Sequence, residues 1–252
     1  MMKLLQHNVN YFLGFDGSLR KYVRHCTRGV RADADAEREN MEAFADLVVR
    51  ERPDMVFLTE VDMGSIRTRT GGHPTTVRSL CAERGLEFGS VAANKYAPGS
   101  IVSRLPVLRH MANGVLYGKG VETQEHYIGP GSKQLVYEAR KEGLSVFSVH
   151  LPLLRWARRR QLENLAEVVA ERDRVIVTGD FNNYHGESEL RPLLDVGLEL
   201  QSPGPALRNS MLPYREIDPY LCSPELDVMG VGRFELPISD HHCTWLEVDV
   251  DA

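Results

Sequence analysis

Apolar positions along this chain fall into two rhythms. Short continuous runs alternate with stretches spaced three and four residues apart. Val175-Ile176-Val177-Thr178 shows the first rhythm, bounded by Arg174 and by Gly179-Asp180-Phe181-Asn182-Asn183. A β-branched run of that length between such bounds reads as a fully buried strand. Lys3–Val9, Asp54–Glu60 and Cys243–Val250 read as strands as well, and Gln134–Arg140 with Leu144–His150 forms a hairpin around Lys141-Glu142-Gly143. The second rhythm predicts helices. Met41, Phe44, Ala45 and Val48 place a helix over Ala36–Arg52 that Pro53 stops. Val77, Leu80 and Cys81 place another over Thr75–Arg84, and Leu162, Leu165, Ala166 and Val169 a third over Arg155–Arg172, with Arg158, Arg159 and Arg160 on a solvated face. Gly99–Val107 reads as a strand followed by a turn, Glu187–Val196 as a short helix and Pro203–Leu212 as a loop. Glu216–Cys222 and Leu226–Val231 read as strands, Pro219 marking an edge or a bulge in the former. Pro237–His242 is a loop.

The runs share an ending. They stop at Asn8, Glu60, His150 and Asp180, and the Asp218 strand and the Asp240-His241 loop add to the set. Ligands and catalytic groups in α/β proteins gather beyond strand ends. Asp180 and Asn182 are two residues apart, which puts them on one face if the chain stays extended.

Composition narrows the class. The chain has 252 residues, 42% hydrophobic and 26% charged, enough for one large α/β domain with an ample core. The net charge of -5 advertises no global basic field for nucleic acid. One local segment departs from it. Ser18–Arg31 carries Arg20, Lys21, Arg24, Arg28 and Arg31 with no acid, and reads either as a solvated loop or as a cationic cradle for an anionic substrate. Cys26, Cys81, Cys222 and Cys243 lack CxxC spacing, so reduced thiols in the cytoplasm are expected. The start of the chain lacks a signal-peptide apolar core, and no run approaches the roughly 18 apolar residues of a membrane span. Gly114 to Lys119 is one residue short of a P-loop and lacks the following Ser/Thr, and neither GxSxG nor HExxH occurs.

Asn8 with its strand, Thr59-Glu60, Ser103-Arg104-Leu105-Pro106, Ser148-Val149-His150-Leu151, Gly179-Asp180-Phe181-Asn182, Ile217-Asp218 and Ser239-Asp240-His241 occur in one order from the first strand to the last. In that order the chain resembles the endonuclease/exonuclease/phosphatase superfamily with its deoxyribonuclease-I-like fold. Gly-Asp-Phe-Asn followed by Ser-Asp-His is the most discriminating pair. The resemblance implies an α/β (α+β) four-layer sandwich, two packed mixed β-sheets flanked by helices, as a single domain over residues 1–252. It also implies a divalent-metal-dependent phosphoester hydrolase.

A phosphoester resists hydroxide because its oxygens are already anionic, so a site must neutralise charge, activate water and stabilise the leaving oxygen. Hard carboxylate and amide oxygens suit Mg²⁺ or Mn²⁺. With the resemblance, Glu60 becomes the first metal ligand, with Asn8 close by and Asp240 contributing. His241 becomes the general base and Asp218 its orienting partner. Asp180 and Asn182 position water and phosphate, and His150 donates to a phosphoryl oxygen. Arg20, Arg24 and Arg155 are candidates for substrate binding. Three departures stand out. Asn10 replaces an Asp that many relatives carry two residues after the strand Asn, which puts a second metal in doubt. Pro219 follows Asp218 where an aromatic residue is usual. His150 stands where abasic-site nucleases have Tyr, as in the deoxyribonuclease, sphingomyelinase and inositol-phosphatase branches.

The expected reaction is in-line attack by water on a phosphodiester. A lipid or small-molecule diester is favoured by His150 and by Leu151-Pro152-Leu153-Leu154-Arg155-Trp156, which offers either an apolar contact or an ordinary core entry into the helix. A nuclease on DNA or RNA is the alternative, and a catalytically inactive binding or scaffold module the alternative of another class. No integral membrane segment and no obligate protein partner are expected.

Overall fold

A computed structural model describes residues 1–14, 34–66, 68, 71–205, 207–209 and 212–250, the backbone alone at 207–209 and 212–215. Two six-stranded sheets form its centre. The first runs β13 (Asp227–Phe234), β14 (Cys243–Asp249), β1 (Met2–Asn8), β2 (Met55–Asp62), β4 (Met111–Tyr117), β3 (Gly89–Asn94). The second runs β5 (Glu122–Tyr127), β6 (Leu135–Lys141), β7 (Leu144–His150), β8 (Arg174–Asp180), β12 (Tyr220–Cys222), β9 (Glu199–Gln201). β10 (Leu207–Asn209) and β11 (Leu212–Arg215) form a separate hairpin. β1 pairs with β2, and β7 with β8, in parallel; the other pairs are antiparallel, so both sheets are mixed.

Side-chain alternation sorts these strands into layers. Met2 and Leu4 of β1, Met55 and Phe57 of β2, and Leu144, Val146 and Ile176 of β7 and β8 meet in the core between the sheets. The intervening residues face outward. Leu5, Val56 and Leu58 pack under α1 (Ala34–Glu51) and α2 (His73–Glu83). Phe147, Val149, Val175 and Val177 pack under α3 (Arg155–Val169). The result is the expected helix–sheet–sheet–helix sandwich. Each buried Leu, Val or Phe contributes roughly 1.5–3 kcal/mol, and a one-residue slip would turn a whole strand inside out. The register is therefore firmly set, and with it the face that the last residue of each strand presents.

Several expectations change. Gly99–Val107 is not a strand: the Ser100 hydroxyl accepts from the Ser103 amide and caps a four-residue helix, Ile101–Arg104. Asp218 and Pro219 precede β12, and the ladder starts at Tyr220, so the missing proline N–H is never required. β12 is interior rather than an edge, lying between β8 and β9. Arg158 is not on the solvated face. It is 1% exposed, bonded to Glu189 and to the carbonyls of Pro152 and Leu153. Part of the expected 203–212 loop is the β10–β11 hairpin. β3, β4, β5 and β9 were not expected. β4 is interrupted in sequence by Gly114, where a Cβ would come within 2.8 Å of Pro74 Cγ.

One backbone position near the end of β8 is closed to any side chain. Gly179 has φ +130°, and a Cβ there would lie 2.0 Å from the Val149 carbonyl oxygen. This is the physical reason for glycine before Asp180. Replacing Gly179 by Ala should force β8 away from β7 and lower unfolding stability by about 3 kcal/mol. Chemical denaturation checks this, and a loss under about 1 kcal/mol would contradict the close approach.

Candidate active site

The inner-face alternation continues past the apolar core and delivers polar groups at one edge of the sandwich. Asn8 follows Met2 and Leu4 at even spacing, His150 follows Leu144 and Val146, and Asp180 follows Ile176. His150 and Asp180 are direct partners across the parallel β7–β8 pair. Glu60 has the wrong parity for this face, since it follows the outward-facing Val56 and Leu58. A bulge corrects it. The β2–β4 register shifts between Leu58 and Val61, and Glu60 itself has φ +58°. A glutamate in the left-handed region carries strain that the surrounding ladder must hold. Glu60 thus lies inside β2, two residues before its end.

These side chains form a connected set. Asn8 Nδ2 donates to Asp180 Oδ2 at 3.0 Å, and His150 Nε2 lies 3.4 Å from the same oxygen and 3.7 Å from Glu60 Oε1. Asn182, with φ +49°, bonds through its backbone N–H to Asp180 Oδ1 at 3.1 Å and through Nδ2 to the Leu151 carbonyl at 3.0 Å. On the other side His241 Nδ1 donates to Asp218 Oδ2 at 2.7 Å. The loop carrying His241 is tied down at three points. Ser239 Oγ donates to the Asn8 carbonyl at 2.6 Å, the His241 N–H donates to Ser239 Oγ, and His7 Nε2 donates to the His241 carbonyl at 3.1 Å. Burial holds His7 down at about 3, so it acts as a neutral donor. Asn10 Nδ2 reaches Asp240 Oδ1 at 3.3 Å, which links the Asp240 carboxylate to the exit of β1.

Two cations enter that the sequence reading passed over. Lys95 is buried, donates to the Tyr11 hydroxyl at 2.7 Å, and reaches Glu60 Oε1 at 3.5 Å. The Lys133 ammonium meets His150 Nε2. Neither residue ends an apolar run. The one available signal for Lys133 was its place after Gly129-Pro130-Gly131-Ser132, a turn-rich segment leading into β6. Tyr184 was also missed. Burial, together with Asp180, Asp218, Asp240 and Glu60, pushes its hydroxyl above the usual range, which places it among the carboxylates.

Electrostatics separates the groups. Burial alone would raise the Glu60 carboxyl, but Lys95, Lys133 and His241 hold it below its ordinary range, so Glu60 is a firm anion. Burial lifts the Asp240 carboxyl above the ordinary range, against the pull of His241. Burial, followed by Lys133 and Lys95, drives His150 well below the imidazole range, so it is neutral. Burial works against a charged His241, yet Asp218, with Asp180 and Asp240 behind it, lifts it above the usual imidazole range.

The donor set suits a hard cation. Among the described residues no three His, Cys, Asp or Glu side chains close around one point. Mg²⁺ does not require such a cage, because it keeps several waters and is held through one or two carboxylates plus substrate phosphate. Glu60 supplies a firm carboxylate whose hydrogen bonding among the described residues is a single long contact. Arg155 is exposed and lines a surface pocket with Arg159, Glu163, Glu189 and Arg191. Arg20 and Arg24 lie outside the described residues.

Replacing Asp218 by Asn removes the carboxylate that most favours the His241 imidazolium. In the metal-free protein the His241 midpoint should fall by about one pH unit or more. Imidazole ring-proton titration by NMR reads it, and an unmoved midpoint would contradict the pairing.

Comparison with known proteins speaks to the family and the fold. The sequence profile described as Endonuclease/Exonuclease/phosphatase family matches residues 5–241. No curated protein matches the sequence. Among solved structures, an endonuclease/exonuclease/phosphatase family protein from Leptotrichia buccalis superposes with TM-score 0.69 at 12% identity, covering 99% of this chain and 100% of that one. An endonuclease/exonuclease/phosphatase from Beutenbergia cavernae gives 0.67 at 18%, covering 98% of this chain and 71% of that one. An AP endonuclease from Archaeoglobus fulgidus gives 0.65 at 10%, covering 99% and 100%. At these identities the structures speak for the fold alone, whereas the profile spans nearly the whole sequence. The chain therefore belongs to the endonuclease/exonuclease/phosphatase family of metal-dependent phosphoester hydrolases.

Proposed function

We propose that the protein is a Mg²⁺- or Mn²⁺-dependent phosphodiesterase that works by direct attack of water, without a covalent enzyme intermediate. The observation that carries this reading is the pairing of His241 with Asp218 next to the linked Asn8, Asp180, His150 and Glu60. Glu60 would hold the cation, with Asn8 and Asp240 beside it. When bound, the cation supplies charge neutralisation at the phosphoryl oxygens. The rest is done by the chain. Asp218 engages Nδ1–H of His241, so in the neutral imidazole Nε2 is the ring atom whose lone pair takes a proton from water. Asp180 and Asn182, locked together and to Leu151, give water and phosphate a fixed polar wall.

For the substrate we favour a lipid or small-molecule phosphodiester. Leu153, Leu154 and Trp156 are 66%, 61% and 61% exposed, and they follow His150 after only Leu151 and Pro152. That is an unusual density of exposed apolar surface so close to a polar site. A nuclease is the second reading. The basic run Ser18–Arg31, which lies outside the described residues, favours it. The core shared between the two sheets supports one domain, and the free thiols Cys81, Cys222 and Cys243 agree with a reducing, cytoplasmic setting.

A panel of mono- and diesters, lipids and single- and double-stranded nucleic acids, with Mg²⁺, Mn²⁺ and EDTA arms, tests the reading. Hydrolysis should need metal, and His241→Ala or Asp180→Ala should cost at least about a hundredfold in kcat/KM. Near-wild-type turnover in His241→Ala would rule out the mechanism. Nucleic-acid binding should weaken steeply with added salt, whereas a small headgroup should show a shallow slope.

A further inference from the structure

Lys133 makes no ion pair among the described residues. The one hydrogen bond of its ammonium among the described residues is with His150 Nε2, and no carboxylate oxygen of the described residues lies within 4.0 Å of it. A lysine has three N–H donors, so two remain available. Lys95 is different, being already engaged by Tyr11 and Glu60. A cation brought out of bulk water gains most from an anionic partner, and the described residues form no ion pair with this one.

The segment bearing Lys133 is held firmly. Gln161 Nε2 donates to the Lys133 carbonyl at 2.6 Å and to the Pro130 carbonyl at 2.7 Å. Asn164 Nδ2 donates to the Gly129 carbonyl, and Gln134 Nε2 to the Gly131 carbonyl. Gly131 packs so tightly that a Cβ would meet Gln161, Ala157 and Pro152 at 3.2–3.3 Å. Lys133 also bridges to Tyr96 across the backbone, which joins it to the strand that delivers Lys95. Anchoring of this kind fixes the base of a long flexible side chain, while its end rests on the imidazole beside Asp180 and Glu60.

We propose that Lys133 binds the non-bridging oxygens of the scissile phosphate, with His150 as the positioning residue that keeps its ammonium at the site. This rests on the phosphodiesterase reading and names the group that holds the substrate's charge. It also reassigns the donor expected of His150. With its Nε2 lone pair accepting from Lys133, the imidazole serves the lysine, and the lysine serves the phosphate.

The test uses the full chain with Mn²⁺ and inorganic phosphate as the probe, followed by calorimetry. Lys133→Met should weaken phosphate binding at least tenfold, while Lys133→Arg, which keeps the charge, should stay within about threefold of wild type. Mn²⁺ affinity in the absence of phosphate, read by EPR, should be unchanged in both variants. Thermal melts matched to wild type, with Lys133→Gln as a second neutral variant, separate lost contact from lost fold. On a hydrolysed diester, Lys133→Met should raise KM as well as lower kcat/KM. Phosphate binding by Lys133→Met and Lys133→Gln within twofold of wild type would overturn the proposal. Phosphate titration needs no turnover, so a chain that hydrolysed none of the diesters but lost phosphate on Lys133→Met would sink the phosphodiesterase reading and leave this contact standing.

Discussion

The inter-sheet core sets the terms for the rest of the molecule. Met2, Leu4, Met55, Phe57, Leu144, Val146 and Ile176 can be buried together only if each strand keeps one register and one parity. At the same edge of the sandwich the apolar supply stops and the parity does not. Asn8, His150 and Asp180 therefore continue the inner faces of their strands, and all three are buried. Polar groups placed there must satisfy one another or a ligand. The hydrogen bonds among Asn8, Asp180 and Asn182, and between His241 and Asp218, are the part they satisfy themselves.

Local strain marks the places where the parity had to be broken. Glu60 takes a left-handed backbone at a bulge, Asn182 a left-handed step directly after the close β7–β8 approach, and Asn10, Tyr11 and Phe12 three positive φ values in succession after β1. Glu60 is thereby turned toward His150, Asn10 to Asp240 and Tyr11 to Lys95, Asn182 turns its backbone N–H onto Asp180 and its side-chain amide onto the Leu151 carbonyl, and Phe12 packs into the core. Conformations of that sort cost on the order of 1–3 kcal/mol each and persist only where the surroundings over-determine them. The stable sheets supply that surrounding.

What could be read from the sequence follows the same division. Buried strands with β-branched runs announced themselves, and so did the residues at their ends, because both belong to one periodicity. Strands such as Gly89–Asn94, whose small residues are all half-buried, and Glu122–Tyr127, polar along most of its length, carry no such pattern. Lys95 and Lys133 were hidden for a related reason. They enter from loops flanking those quiet strands, and a loop lysine looks like any solvated charge until the fold buries it. Arg158 is the clearest reversal. Its neighbours Arg159 and Arg160 are solvent-facing as expected, while one step of helix rotation takes Arg158 inward to Glu189.

The proposed cation site lies at Glu60, on the edge of the sandwich that also carries Asp180 and the Asp218–His241 pair. Crystals of the protein soaked in Mn²⁺, with data collected at a wavelength where manganese scatters anomalously, test that site directly. The account predicts an anomalous peak within bonding distance of a Glu60 carboxylate oxygen, lost in Glu60→Gln. A peak on any other part of the surface, with none at Glu60, would contradict it.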